Sequence, residues 1–317
     1  MNSTANSPGF AIVEVSGPLL LAFSLHWALF AVLTVQLYLY YQAFPNDRVF
    51  TKGLVYTVYC LSLVSVILST IDAFSTFGYG FGDPSALNTA HFAWLVGPVF
   101  TGMVACIVQS FYAFRLYRLC NSRIVPAILV FAALGLCAIG ISDGVSDHKA
   151  SRTNLAKLKF NFPAIATITT VLFLVGTALV DITIAGCMTY YLTKNDTGFR
   201  RTHALVTKLI RLSIETGVIT ALVVILILAL FFGVPGKAYY VVPGSSISTV
   251  YANTLFAVLN SRFQILNGRA DVSTSDILIS IPSKIRSPMV SITREEFSDR
   301  PNPRMELKKP NGSFTAV

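Results

Sequence analysis

Long uncharged runs separated by short charged intervals set the pattern of this chain. Residues 92–114 contain no Lys, Arg, Asp or Glu, and 23 residues of helix at about 1.5 Å per residue rise about 34 Å. That length crosses a hydrocarbon core of about 30 Å. The run closes in Gln109-Ser-Phe-Tyr-Ala-Phe-Arg-Leu-Tyr-Arg118, rings followed by arginines, which is the composition of a membrane interface with its positive charges in the cytoplasm. Comparable runs predict spans at 18–41, 53–77, 92–118, 124–142, 163–191 and 212–232. A seventh, 242–259, is less apolar. Pro243, Gly244 and several Ser or Thr residues occupy its first half, and its apolar stretch, 250–259, is as short as a re-entrant element.

The connections follow turn chemistry. Pro45-Asn-Asp-Arg48 reads as a tight turn, 78–84 as a glycine-rich turn, and 143–161 as a longer polar loop. The fold class expected is all-α: a polytopic seven-transmembrane helix bundle with a short N-terminus (1–16), a membrane domain (17–262) and a tail (263–317). The tail carries eight basic and six acidic residues with five prolines. It has no sustained apolar period and reads as disordered.

Composition reinforces this reading. The chain is 54% apolar and 12% charged, where soluble domains hold about 25% charged residues; the lipid bilayer is therefore its first partner. The net charge of +9 does not indicate nucleic acid, because the bases fall in inter-helix segments and form no stripe on a soluble module. The five cysteines show no Cys-x-x-Cys spacing and no pair placed for a disulfide between outside loops. Cys120, just beyond a membrane exit, is placed for S-palmitoylation.

Counting Arg115 and Arg118 at the end of span three with the loop that follows it, the loops after spans one, three and five hold ten Lys or Arg, and those after spans two, four and six hold five. This asymmetry puts the N-terminus outside and the C-terminus in the cytoplasm. The first residues lack the pattern of a cleaved signal peptide. With no retrieval signal evident, plasma membrane is expected over endomembrane.

Polar residues within apolar spans are costly, about 2.5 to 3.5 kcal/mol for a charge at mid-bilayer, and so face a bundle interior or a functional site. Asp72, Asp181, Asn253 and His26 form the candidate intramembrane polar site. Gln36, Gln109, Asn260, Arg115, Arg118, Arg211, Glu215 and Arg262 read as helix-bridging or interface residues, with Arg211 and Glu215 one turn apart on a helix face. No Gly-x-Ser-x-Gly, phosphate-binding glycine loop or paired-histidine metal motif is present, so neither a catalytic residue nor a metal is indicated. No lysine lies inside a predicted span to form a retinal Schiff base, and no cofactor is expected.

Four segments together resemble a known family: Gln36-Leu-Tyr-Leu-Tyr-Tyr-Gln-Ala-Phe-Pro-Asn-Asp-Arg48, the span-three ending quoted above, Glu215-Thr-Gly-Val-Ile-Thr220 and Tyr251-Ala-Asn-Thr-Leu-Phe-Ala-Val-Leu-Asn-Ser-Arg262. Across residues 15–265 the chain resembles a fungal, mainly mushroom-type, seven-span family defined by a domain of unknown function. The resemblance implies a membrane location and seven helices, and it carries no activity, ligand or catalytic residue.

Three functions compete. A receptor-like or signalling-associated protein fits seven spans, a basic cytoplasmic face and a tail whose Ser283, Ser287, Ser291 and Thr293 lie near bases, where phosphorylation would create a site for a cytoplasmic signalling partner or weaken lipid attraction. A transporter or channel would use a cavity lined by Asp72, Asp181 and Asn253. A membrane scaffold needs no ligand.

Overall fold

The computed structural model describes residues 8–83, 86, 91–119, 123–153, 164–194, 200–234 and 237–261. The chain divides into two units, Met1–Gly268 and Arg269–Val317. The second falls wholly outside the described residues, and with it Ser283, Ser287, Ser291 and Thr293; Cys120 and Arg262 also lie outside them.

The described residues of the first unit form seven α-helices: α1 (Pro8–Ala43), α2 (Val49–Ala73), α3 (Phe100–Leu119), α4 (Ile124–Thr153), α5 (Ala164–Lys194), α6 (Arg200–Gly233) and α7 (Val241–Asn260). Two wider π-helical turns extend them. Phe74–Tyr79 continues α2, and Leu95–Val99 leads into α3. The second contains Pro98, which has no N–H for a regular ladder; a π-turn is a common accommodation of such an interruption.

Each helix packs on its neighbours in sequence, α1 also packs on α7, and α3 and α7 meet near the axis of the bundle. Among the described residues six stretches are long and apolar enough to cross a membrane: Val13–Ala43, Val49–Tyr79, Leu95–Arg118, Ile124–Lys149, Thr167–Tyr191 and Ile214–Gly233. Large apolar side chains such as Phe131, Leu179 and Ile225 are exposed on them, the surface a lipid phase would cover. Cys60 is exposed as well.

The seventh helix is regular over 20 residues, about 30 Å at 1.5 Å per residue, so its length is that of a span. Its polar content has a structural reason. Twelve of its residues are buried against α1, α2, α3 and α6, so most of its surface meets protein.

Three helices exceed their predicted lengths. The stretch 143–153, expected within a polar loop, continues α4. Asp143 is buried there and accepts hydrogen bonds from the hydroxyls of Thr169 (2.8 Å) and Thr170 (2.7 Å) on α5. Helix α6 begins at Arg200 and α1 at Pro8, ahead of the expected starts at 212 and 18; a polar helix can extend past the apolar layer, and apolarity alone does not mark its end. Where α4 crosses the approach to α3, Gly140 and Gly144 lie one turn apart. A Cβ on Gly144 would stand 2.5 Å from Val99 Cγ2 and 2.7 Å from the Trp94 carbonyl. Small residues at this spacing allow the close helix contact common in membranes.

Candidate functional site

The buried carboxylate of Asp181, on α5, is the point at which four helices meet. Gln109 Nε2 on α3 donates to its Oδ1 at 2.9 Å. Thr220 Oγ1 on α6 and the Tyr251 hydroxyl on α7 donate to its Oδ2 at 2.8 and 2.7 Å. Gln109 Nε2 also reaches the Thr177 carbonyl at 3.3 Å. Thr220 has two backbone carbonyls of its own helix within reach, those of Thr216 and Gly217. A Cβ at Gly217 would meet Ala185 and the Asp181 carbonyl at 3.4 and 3.5 Å, ordinary van der Waals contact. Among the described residues no Lys, Arg or His bonds the Asp181 carboxylate.

A small cavity adjoins this junction, lined on its polar side by Tyr112, Asp181, Thr216, Thr220, Tyr251 and Thr254. It offers about 20 Å³ to the centre of a water-sized sphere, where one water needs roughly 10 to 15 Å³. The Tyr112 hydroxyl lies beside the Thr216 side chain, and Gln109 Oε1 is buried without a hydrogen-bond partner among the described residues. No group of three or more His, Cys, Asp or Glu capable of holding a metal ion occurs among the described residues.

The other candidate residues lie elsewhere in the bundle. Asp72 accepts the backbone N–H groups of His91 (3.0 Å) and Phe92 (3.0 and 3.2 Å). It thereby fastens the start of the third span to the end of α2. His26 on α1 shares a hydrogen bond through Nδ1 with Ser69 on α2 at 3.1 Å. Asn253 donates to the Leu29 carbonyl at 3.0 Å, and Asn260 to the Gln36 carbonyl at 2.9 Å. Both bonds have the same sequence offset, so they fix a parallel register of α7 along α1, two turns apart. Asp72 and Asn253 therefore do not line the cavity with Asp181, contrary to the grouping expected for a transport path.

Gln109, expected to bridge helices, does so into the junction. Arg115 and Arg118 lie over the rings of Phe111 and Phe114, with guanidinium carbons 5.9 and 5.3 Å from the centroids. This is a cation–π placement suited to an interface. Glu215 is exposed, and the side chain of Arg211, its expected partner, lies outside the described residues.

Tyr251, Thr220, Thr177 and Tyr112 were not singled out from the sequence. A tyrosine or threonine in an apolar span carries no charge penalty, so only the position of Asp181 marks where its partners gather.

A family of unknown function (DUF6534) matches the chain over residues 177–264. No curated protein and no solved structure matches it. The matched part runs from the middle of α5 through α6 and α7. It contains Asp181, Thr220 and Tyr251 and stops short of Gln109, so three of the four helices of the junction fall within it. The chain is a multi-pass membrane protein built as a helical bundle.

Proposed function

We propose that this protein is receptor-like, a signalling-associated membrane protein whose helix arrangement is set at the Asp181 junction. One observation carries the reading: a single carboxylate joins α3, α5, α6 and α7 beside a cavity of about 20 Å³, a volume suited to a water-sized species and not to a transported organic solute. A junction that binds four helices through three exchangeable donors can be remade in a second arrangement. Thr220 and Gln109 already have backbone carbonyls within reach to take over their protons. The reading includes an outside N-terminus, a cytoplasmic tail and a plasma-membrane location, as the loop charges suggest, and kinship with the fungal seven-span family that the four segments resemble. In it, Ser283, Ser287, Ser291 and Thr293 serve as tail phosphorylation sites for a cytoplasmic partner.

The test is a distance measurement between spin labels at Tyr117 on α3 and Ile214 on α6, both exposed positions, in full-length protein in nanodiscs. Two separations are expected, with their populations changed by Asp181→Asn. One narrow separation, the same in both proteins, would refute the proposal. Transport is the second reading, favoured by the same carboxylate, to which no cationic side chain bonds among the described residues; flux into sealed liposomes would establish it.

A further inference from the structure

We propose that the cavity beside Asp181 binds one small monovalent cation of sodium's size and charge, held by the Asp181 carboxylate and the surrounding hydroxyl oxygens. The inference rests on the receptor-like reading and supplies a ligand for its junction.

Three donors, one N–H and two O–H, converge on the Asp181 oxygens. That is what an ionised carboxylate requires. A protonated one would need one of these donors to turn away and accept instead, as Thr220 could by giving its proton to the Thr216 or Gly217 carbonyl. The site is thus built for a negative charge, and the described residues place no cationic side chain on it. Within a membrane span such a charge requires a partner, or it bears a cost of several kcal/mol.

The surroundings match a cation. A hydroxyl that donates its proton to a carboxylate keeps its lone pairs, and both such hydroxyls, on Thr220 and Tyr251, line the cavity. The independent observation is Tyr112. It is 7% exposed, and it lines the same cavity from α3, beside Thr216 of α6. A tyrosine hydroxyl that has one hydrogen bond still has acceptor capacity, which a cation or its water would use.

Size and charge narrow the class. A volume of about 20 Å³ admits a species close to a water and excludes an organic ammonium. Calcium takes six to eight oxygens, usually with several carboxylates. Asp181 is the cavity's one carboxylate, so a single positive charge balances it.

The test uses the purified full-length chain in nanodiscs, with sodium chloride titrated against choline chloride at constant ionic strength. Binding to the folded state alone raises the unfolding temperature as sodium rises. We expect a saturable rise, about one radioactive sodium bound per chain at saturation, and loss of both in Asp181→Asn. Tyr112→Phe, which leaves the carboxylate in place, is expected to weaken sodium binding roughly five- to tenfold and provides the readout if Asp181→Asn does not fold. Equal unfolding temperatures in sodium and choline, with no bound sodium above background, would overturn the cation site and leave the receptor-like reading standing. One bound sodium together with sodium flux into sealed liposomes would support the site and overturn the receptor-like reading.

Discussion

The three donors at Asp181 are unequal, and the inequality is measurable. Thr220 can turn its proton to the carbonyls of Thr216 at 3.3 Å or Gly217 at 3.1 Å. Gln109 Nε2 retains the Thr177 carbonyl at 3.3 Å. The Tyr251 hydroxyl, on a side chain 1% exposed, directs its bond to Asp181 at 2.7 Å. Removing the carboxylate by Asp181→Leu therefore takes from Tyr251 the shortest of the three bonds and leaves it beside the Thr177 and Thr220 hydroxyls, which have backbone carbonyls of their own to serve. The matching perturbation is Tyr251→Phe, which deletes one hydroxyl and leaves the ring in place.

Hydrogen bonds to charged groups contribute about 1.5 to 3 kcal/mol in soluble proteins, whereas interhelical bonds in membranes average about 0.6 and reach about 1.7 kcal/mol. A short, charge-assisted bond at a fully buried junction belongs at the upper end of the membrane range. The double-mutant cycle of Tyr251→Phe with Asp181→Leu should accordingly give a coupling of about 1.5 kcal/mol. The parallel cycle with Thr220→Val should give about 0.5 kcal/mol or less, because the threonine's alternatives are already in place. Reversible unfolding by sodium dodecyl sulfate in bicelles, followed by helicity, reads all the free energies. A Thr220 coupling equal to or larger than that of Tyr251 would refute the reasoning.

Other predictions follow from the same geometry. Gly144→Ala forces a Cβ against Val99 and the Trp94 carbonyl and should destabilise by about 1 to 3 kcal/mol, whereas Gly135→Ala, with nothing within 4 Å, should be neutral or stabilise by up to about 1 kcal/mol; thermal unfolding of the two variants checks the contrast. Asp72→Ala frees the His91 and Phe92 amides, and hydrogen exchange there should quicken roughly 5- to 30-fold if about 1 to 2 kcal/mol of protection is lost. Lys237, in the α6–α7 connection, holds Glu14 of α1 at 2.8 Å, and its hydrogen bond to Glu14 raises its pKa above the usual lysine value. The pair's contribution is fully present below the ordinary lysine pKa and is lost as pH rises through the raised one. Glu14→Gln should flatten that alkaline limb in a series of unfolding temperatures from about pH 9 to 12.

Element number and type were legible because a bilayer demands long uncharged stretches, and the sequence shows them. Helix ends were less so. The acid at Asp143 looks like the start of a loop until Thr169 and Thr170 are brought to it from another helix, and no local pattern encodes that pairing. Helix α7 looked marginal for the opposite reason: its serines, threonines and asparagines suit a helix enclosed by protein, while apolarity measures suitability for lipid. At the site, Asp181 could be found as a charge inside a span, and Gln109 as an amide near the end of an apolar run. Tyr251 could not, since its ring is ordinary in a membrane helix and only the helix rotation turns its hydroxyl to the carboxylate. Grouping Asp72 with Asp181 failed because like chemistry does not imply proximity; Asp72 is occupied by two backbone amides at another place in the bundle.

The two asparagine bonds between α7 and α1 bear on how the chain is made. Each joins residues 224 positions apart, and at roughly 5 to 20 residues per second a ribosome needs about 11 to 45 seconds to travel that distance. The first helix thus enters the membrane well before the helix on which it packs most extensively has been synthesised. Until then its inner face must rest on lipid, on α2 or on an insertion chaperone. A chain truncated after α6 would leave that wait unended, exposing α1 to quality control while its other helices were already inserted.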